Sequence, residues 1–146
     1  MTTKISILKT GARLLILTAL LFTAFTANAS DKEATPKDKE GAQIVFSEKN
    51  YNFGFIPEAG GPVTHFFEFT NTGDAPLVII SATASCGCTR PTYPTEPIAA
   101  GKKGKIKVTY LPEGRPGEFD KTIKVRTNAK DAKKISLKIT GTVVNK

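Results

Sequence analysis

From Gln43 onward, apolar residues recur at every second position in short runs, and Gly, Pro, Asn and Asp separate the runs. A period of two belongs to half-buried β-strands rather than helices. Residues 44–47 and 51–55 read as a split first strand. Val63, His65, Phe67 and Phe69 then alternate with Thr64, Phe66, Glu68 and Thr70, so the first group shares one apolar face. Asn71-Thr72-Gly73-Asp74 and Pro76 lead into residues 77–84, a pattern that predicts a hairpin. Ile106, Val108 and Tyr110 alternate with Lys105, Lys107 and Thr109, and residues 111–117 are dense in turn formers. Residues 119–127 and 135–143 supply a final pair of strands joined across 128–133.

About seven short strands in ~100 residues predict an all-β fold, an immunoglobulin-like β-sandwich over residues 43–146, with a small barrel as the alternative. The chain has no Trp, and its two cysteines are too close together to make the inter-sheet bridge of antibody domains. The core is therefore expected to rest on Phe and β-branched residues.

Before Gln43 the pattern changes. Lys4, Lys9 and Arg13 precede an apolar stretch at 14–25, and Ala27-Asn28-Ala29 offers the small residues of a cleavage site. Residues 1–29 are thus expected to be a signal peptide, because the apolar stretch falls short of the ~20 residues that span a bilayer. Residues 30–42 are charged and lack apolar periodicity, which predicts a flexible tether. No second apolar run of spanning length follows, so the mature chain is expected to be exported, to the periplasm or beyond the cell, without a transmembrane helix.

Loss of the three basic residues in the signal lowers the formal charge from +8 to about +5. The chain lacks an RNA-binding aromatic signature and zinc-finger spacing, so nucleic acid is not an expected partner. A protein, an acidic envelope glycan or a lipid headgroup suits this charge better. Lys124 and Arg126 face outward by parity, as do Lys134 and Lys138 and, elsewhere, Lys105 and Lys107. If the last two strands pair, the first four form a candidate anion-binding face. The bland alternative is a solvated surface that discourages edge-to-edge association.

The only cysteines lie in Ser85-Cys86-Gly87-Cys88-Thr89. In an extended strand, positions i and i+2 share a face with Cα atoms ~6.5–7 Å apart, near the limit for a disulfide. A bond between Cys86 and Cys88 therefore requires a bend, and Gly87 permits one by positive φ or a tight turn. So short a loop stabilises a fold little. Three readings of Cys86, Gly87 and Cys88 stay open: a local bridge or inert thiols, a redox couple, or two ligands for a soft ion such as copper or zinc. Zinc needs more than two ligands, and the single histidine, His65, is the remaining candidate. A lone His on an apolar strand face is more often packed than ligating, and its spacing does not bring it beside the cysteines. No cofactor is therefore expected outside the copper or zinc alternative.

Hydrolase chemistry needs a nucleophile and a base, and one histidine would have to fill every role. Gly-x-Ser-x-Gly, phosphate-loop and His-Glu-x-x-His motifs are absent from the sequence. The expectation is a non-enzymatic binding or interaction module of the bacterial envelope, with a thiol-redox or soft-metal protein as the alternative.

Asn52-Phe53-Gly54, the run Phe67-Glu68-Phe69-Thr70-Asn71-Thr72-Gly73-Asp74, Ser85-Cys86-Gly87-Cys88-Thr89, Ile98-Ala99-Ala100-Gly101 and Arg126-Thr127-Asn128 together carry a resemblance. Across roughly residues 44–144 the chain resembles the bacterial domain-of-unknown-function family DUF1573, itself similar to the immunoglobulin-like modules of the ASPM, SPD-2 and hydin group. The resemblance implies the fold and an exported bacterial setting. It implies no activity and no catalytic residues.

Overall fold

The computed structural model describes residues 40–145. Eight strands follow one another along it: β1 (Ile44–Phe46), β2 (Asn50–Pro57), β3 (Val63–Asn71), β4 (Ile79–Ala84), β5 (Thr89–Thr92), β6 (Lys103–Tyr110), β7 (Gly117–Thr127) and β8 (Lys134–Val144). They form two four-stranded sheets, ordered β1-β3-β6-β5 and β2-β8-β7-β4. This is the constant-type immunoglobulin arrangement, with the first strand divided between the sheets. The only helical element among the described residues is one 3-10 turn at Glu58–Gly60. The expected signal peptide at 1–29, and the tether of 30–42 up to residue 39, lie outside the described residues.

The alternation read from the sequence sorts the faces as expected. Phe67, Phe69, Ile106, Val108 and Tyr110 from one sheet are buried against Ile123, Val125, Leu137 and Ile139 from the other. Each such side chain contributes about 1.5–3 kcal/mol through removal from water. Lys105 and Lys107 point outward between them. Tyr110 and Phe119 stack face to face across the two sheets with ring centroids 3.9 Å apart, adding aromatic packing to the core.

Three expectations change. The split first strand is two strands in opposite sheets: β1 runs antiparallel to β3, whereas β2 runs parallel to β8. The predicted hairpin between 63–70 and 77–84 is a crossing between sheets, since β3 pairs with β6 and β4 with β7. The turn residues were read correctly, but a sandwich uses the same residues to change sheets as to reverse within one. Finally, the end of the tether belongs to the domain. Ala42 is buried, and Gly41 donates its N–H to Asp74 Oδ1 at 2.6 Å.

The β3-to-β4 crossing is held by polar side chains. Asn71 is fully buried; its Nδ2 donates to the carbonyls of Ala75 at 2.8 Å and Ile98 at 2.9 Å, and its Oδ1 accepts from Gly73 N at 3.1 Å. Gly73 is required by close approach: a Cβ there would collide with the Gly41 carbonyl oxygen and lie 2.6 Å from Gln43 N. Across the same end of the sandwich, Asn128 Oδ1 accepts from Val78 N at 2.8 Å and its Nδ2 donates to Pro76 O at 3.0 Å. The family-like Asn-Thr-Gly-Asp and Arg-Thr-Asn elements are thus backbone-satisfying devices.

Replacing Asn71 with the similarly sized Leu leaves the Ala75 carbonyl and the Gly73 and Gln43 N–H groups without this partner, and leaves the Ile98 carbonyl only Leu77 N. Asn71→Leu is expected to lower stability by roughly 3 kcal/mol in urea unfolding, or to prevent folding.

Candidate functional site

The Cys-Gly-Cys element sits at the opposite end of the sandwich, where the chain leaves β4 and crosses to β5. Ser85 extends the β4 pairing: its N–H donates to Thr122 O at 3.0 Å, and its Oγ accepts from Thr122 N at 3.3 Å. Beyond it Cys86, Gly87 and Cys88 turn sharply, with Thr89 N donating to Cys86 O at 3.2 Å. Leu111 N then donates to Cys88 O at 2.9 Å and ties the far side of the turn to the end of β6.

Cys86 and Cys88 are joined by a disulfide, and their Cα atoms are 5.3 Å apart. That separation is shorter than the extended-strand value because the turn folds the backbone between them. Gly87 makes the turn without the positive φ allowed for in the sequence reading. A Cβ at Gly87 would meet no atom within 4 Å, so the outer surface of the turn is open. The two sulfurs differ in surroundings: Cys88 is buried at 6% exposure within the hydrophobic core, whereas Cys86 is half-buried. Thr89 Oγ1, itself buried, lies 3.8 Å from each sulfur. A disulfide sulfur carries no hydrogen, so the hydroxyl is the donor.

Beside the site, Thr89 pairs with Tyr110. Burial pushes the Tyr110 phenol above its ordinary pKa, and the positive charge of Arg115 acts in the other direction.

His65 is not brought to the cysteines. Its ring stacks on Tyr51 at 3.6 Å, meets the Phe67 ring edge-on, and its Nε2 lies 2.9 Å from Glu48 Oε1. The described residues contain no group of three or more His, Cys, Asp or Glu side chains placed to hold a metal ion.

The final two strands pair in the register the anion-face reading needs, with one correction. Arg126 is directly opposite Lys134, and Lys124 is opposite Ser136 with Thr83 on its other side. Lys124, Arg126 and Lys134 border a shallow depression of about 370 Å³. Lys138 falls outside it, opposite Thr122, and its Nζ is 2.7 Å from Asp120 Oδ2. Lys105 and Lys107 project from the other sheet and belong to a separate surface.

Two features escaped sequence reasoning. Thr89 was part of the motif, but only the folded turn shows its hydroxyl against both sulfurs. Phe55 shares the parity of Tyr51 and Phe53 yet is 78% exposed. A bulge causes this: β2 spends three residues from Asn52 to Phe55 where β8 spends two, from Thr140 to Thr142, so parity flips and Ile56 turns inward. Gly54, at φ 68°, supplies the left-handed step, and its position after Asn52-Phe53 was the available signal.

A family model described as "Protein of unknown function (DUF1573)" matches residues 44–143. No curated protein matches the chain. By structure the chain is similar to a protein of unknown function from Porphyromonas gingivalis W83, with a TM-score of 0.63 and 15% identity, over 77% of this chain and 51% of that one. It is similar to the VesB protease of Vibrio cholerae at a TM-score of 0.56 and 14% identity, over 72% of this chain and 32% of that one. It is also similar to a PapD-like domain of human CEP192 at a TM-score of 0.53 and 13% identity, over 92% of this chain and 99% of that one. The chain therefore spans about half the length of the P. gingivalis protein and about a third of VesB. At these identities the likeness is one of fold.

A disulfide that closes over a single residue removes little entropy from the unfolded chain. Replacing both Cys86 and Cys88 with Ser is expected to cost only about 1.5 kcal/mol, read from the shift of the urea midpoint. A loss several times larger would make the bond a structural staple after all.

Proposed function

The chain belongs to the DUF1573 family, and we propose that it is an exported, non-enzymatic binding module of the bacterial cell envelope that docks an acidic glycan. The docking surface in this reading is the outer face of the β2-β8-β7-β4 sheet around Lys124, Arg126 and Lys134. One observation carries it. Arg126 and Lys134 occupy directly opposed positions, with Lys124 one row along, and among the described residues none of the three has a carboxylate within ion-pairing distance. Like charges placed opposite each other on a sheet repel, so the fold holds a concentration of positive charge that a bound anion would relieve. The shallow depression between them and the neighbouring Ser136 and Thr83 hydroxyls suit a hydroxyl- and carboxylate-bearing ligand.

The exported setting is supported by the signal-like residues 1–29 and by the disulfide, since such bonds persist mainly in oxidising compartments. The non-enzymatic reading is supported by the only histidine being occupied by Tyr51 and Glu48. Among the described residues no helix is long and apolar enough to cross a membrane.

A second reading, a thiol-redox protein of the envelope, is favoured by the half-exposed disulfide at Cys86. Its soft-metal form, with copper or zinc, requires that the bond first be reduced.

The glycan reading is tested by retention on an immobilised uronic-acid polysaccharide. Binding is expected to fall steeply as salt rises from about 50 to 200 mM, because the Debye length shrinks toward contact distance. Arg126→Glu with Lys134→Glu should weaken binding at least about tenfold, a loss of ~1.4 kcal/mol. Lys105→Glu with Lys107→Glu, on the other sheet, should retain most of it. Equal losses from both pairs, or retention indifferent to salt, would remove this surface as the site.

A further inference from the structure

The backbone of the β4-to-β5 crossing is fastened on both sides without help from sulfur. Ser85 is bonded to Thr122 on one side, and Cys88 O accepts from Leu111 N on the other. The bond between Cys86 and Cys88 therefore closes a turn that hydrogen bonds already hold. It adds little stability, because the loop it closes is minimal. A covalent bond that is neither needed for the turn nor effective as a staple is free to open while the sandwich stays folded.

We infer that this disulfide is a thiol–disulfide exchange site opened specifically at Cys86, with a partner dithiol as its reductant; the inference rests on the redox reading above and deepens it. Exchange depends on which sulfur an incoming thiolate can reach. Cys88 lies in the core at 6% exposure, while Cys86 is half-buried and the space over Gly87 is open. The route from solvent therefore leads to Cys86.

The partner's first thiolate attacks Cys86 Sγ, forming a mixed disulfide as the bond between Cys86 and Cys88 breaks. The electron pair passes to Cys88 Sγ, which takes up a proton. Thr89 Oγ1, within 3.8 Å, is positioned to donate to that sulfur while charge develops on it. The partner's second thiolate then attacks the partner sulfur of the mixed disulfide. Cys86 departs and is protonated, and the partner leaves as a disulfide. Two electrons and two protons have moved from the partner dithiol to the cysteine pair.

The monothiol glutathione traps the first step. Oxidised full-length protein is mixed with reduced glutathione, quenched in acid, alkylated and digested, and fragment masses on either side of Gly87 locate the adduct. Glutathione is expected on Cys86 in at least about tenfold excess over Cys88. An adduct mainly on Cys88, or shared equally, overturns the assignment to Cys86 while leaving the redox reading standing. A bond that resists glutathione in the folded protein, yet is reduced once the protein is unfolded in urea, overturns both. In single variants, the thiol left by Cys88→Ser should react with an aromatic disulfide about tenfold faster than the thiol left by Cys86→Ser. Equal rates would count against the assignment, and the wild-type mapping decides if either variant fails to fold.

Discussion

The structure depends on carrying the chain between two sheets without leaving backbone polar groups unpaired. Within a sheet the strand ladders satisfy those groups; at each crossing the chain must find other partners, because a buried N–H or C=O left alone costs as much as several good contacts return. At one end the partners are side chains. Asn71 and Asn128 use their amides to take up three carbonyls and three N–H groups of the connecting segments. Thr127 does the same for the β7-to-β8 loop, accepting from Ala129 N and donating to Ala132 O. At the other end, around Cys86 and Cys88, the partners are the backbone of Thr122 in β7, helped by the Ser85 hydroxyl, and of Leu111 just past β6, and the two cysteine side chains are not used to hold the backbone.

This division separates the sequence motifs by role. Asn-Thr-Gly-Asp and Arg-Thr-Asn look like recognition elements when read as strings, because they are polar, compact and placed in loops. In the fold the amides of Asn71 and Asn128 and the hydroxyl of Thr127 are spent on the backbone of the crossings, while Arg126 stays outward on the sheet face. Cys-Gly-Cys-Thr is the motif whose chemistry the architecture does not consume.

The alternating pattern was sufficient to read the sandwich, the inward faces of β3 and β6, and the pairing of β7 with β8, because burial follows parity wherever a strand is regular. The pattern was silent where a strand is not. Nothing in the parity of Phe55 reveals the bulge that turns it outward, and nothing in the spacing of Lys138 reveals Asp120 as its partner, since that requires the β7–β8 register. The false hairpin has the same origin: turn residues report that the chain bends, while its next neighbour is decided by which apolar face needs covering. β5 was missed because four residues containing Pro91 carry too little alternation to register.

Gly87 brings these threads together. Gly73 is explained by packing, since any side chain there would strike the backbone of residues 41–43. Gly54 is explained by conformation, since it takes the left-handed step of a bulge. Neither account applies to Gly87, which has ordinary φ and empty space where a Cβ would stand. On either side of that open space stand the two bonded cysteines, Cys86 half-buried and Cys88 in the core. Packing and backbone conformation thus leave Gly87 without a reason of their own, and under the proposed exchange the open space beside it is the side from which a thiolate would approach Cys86.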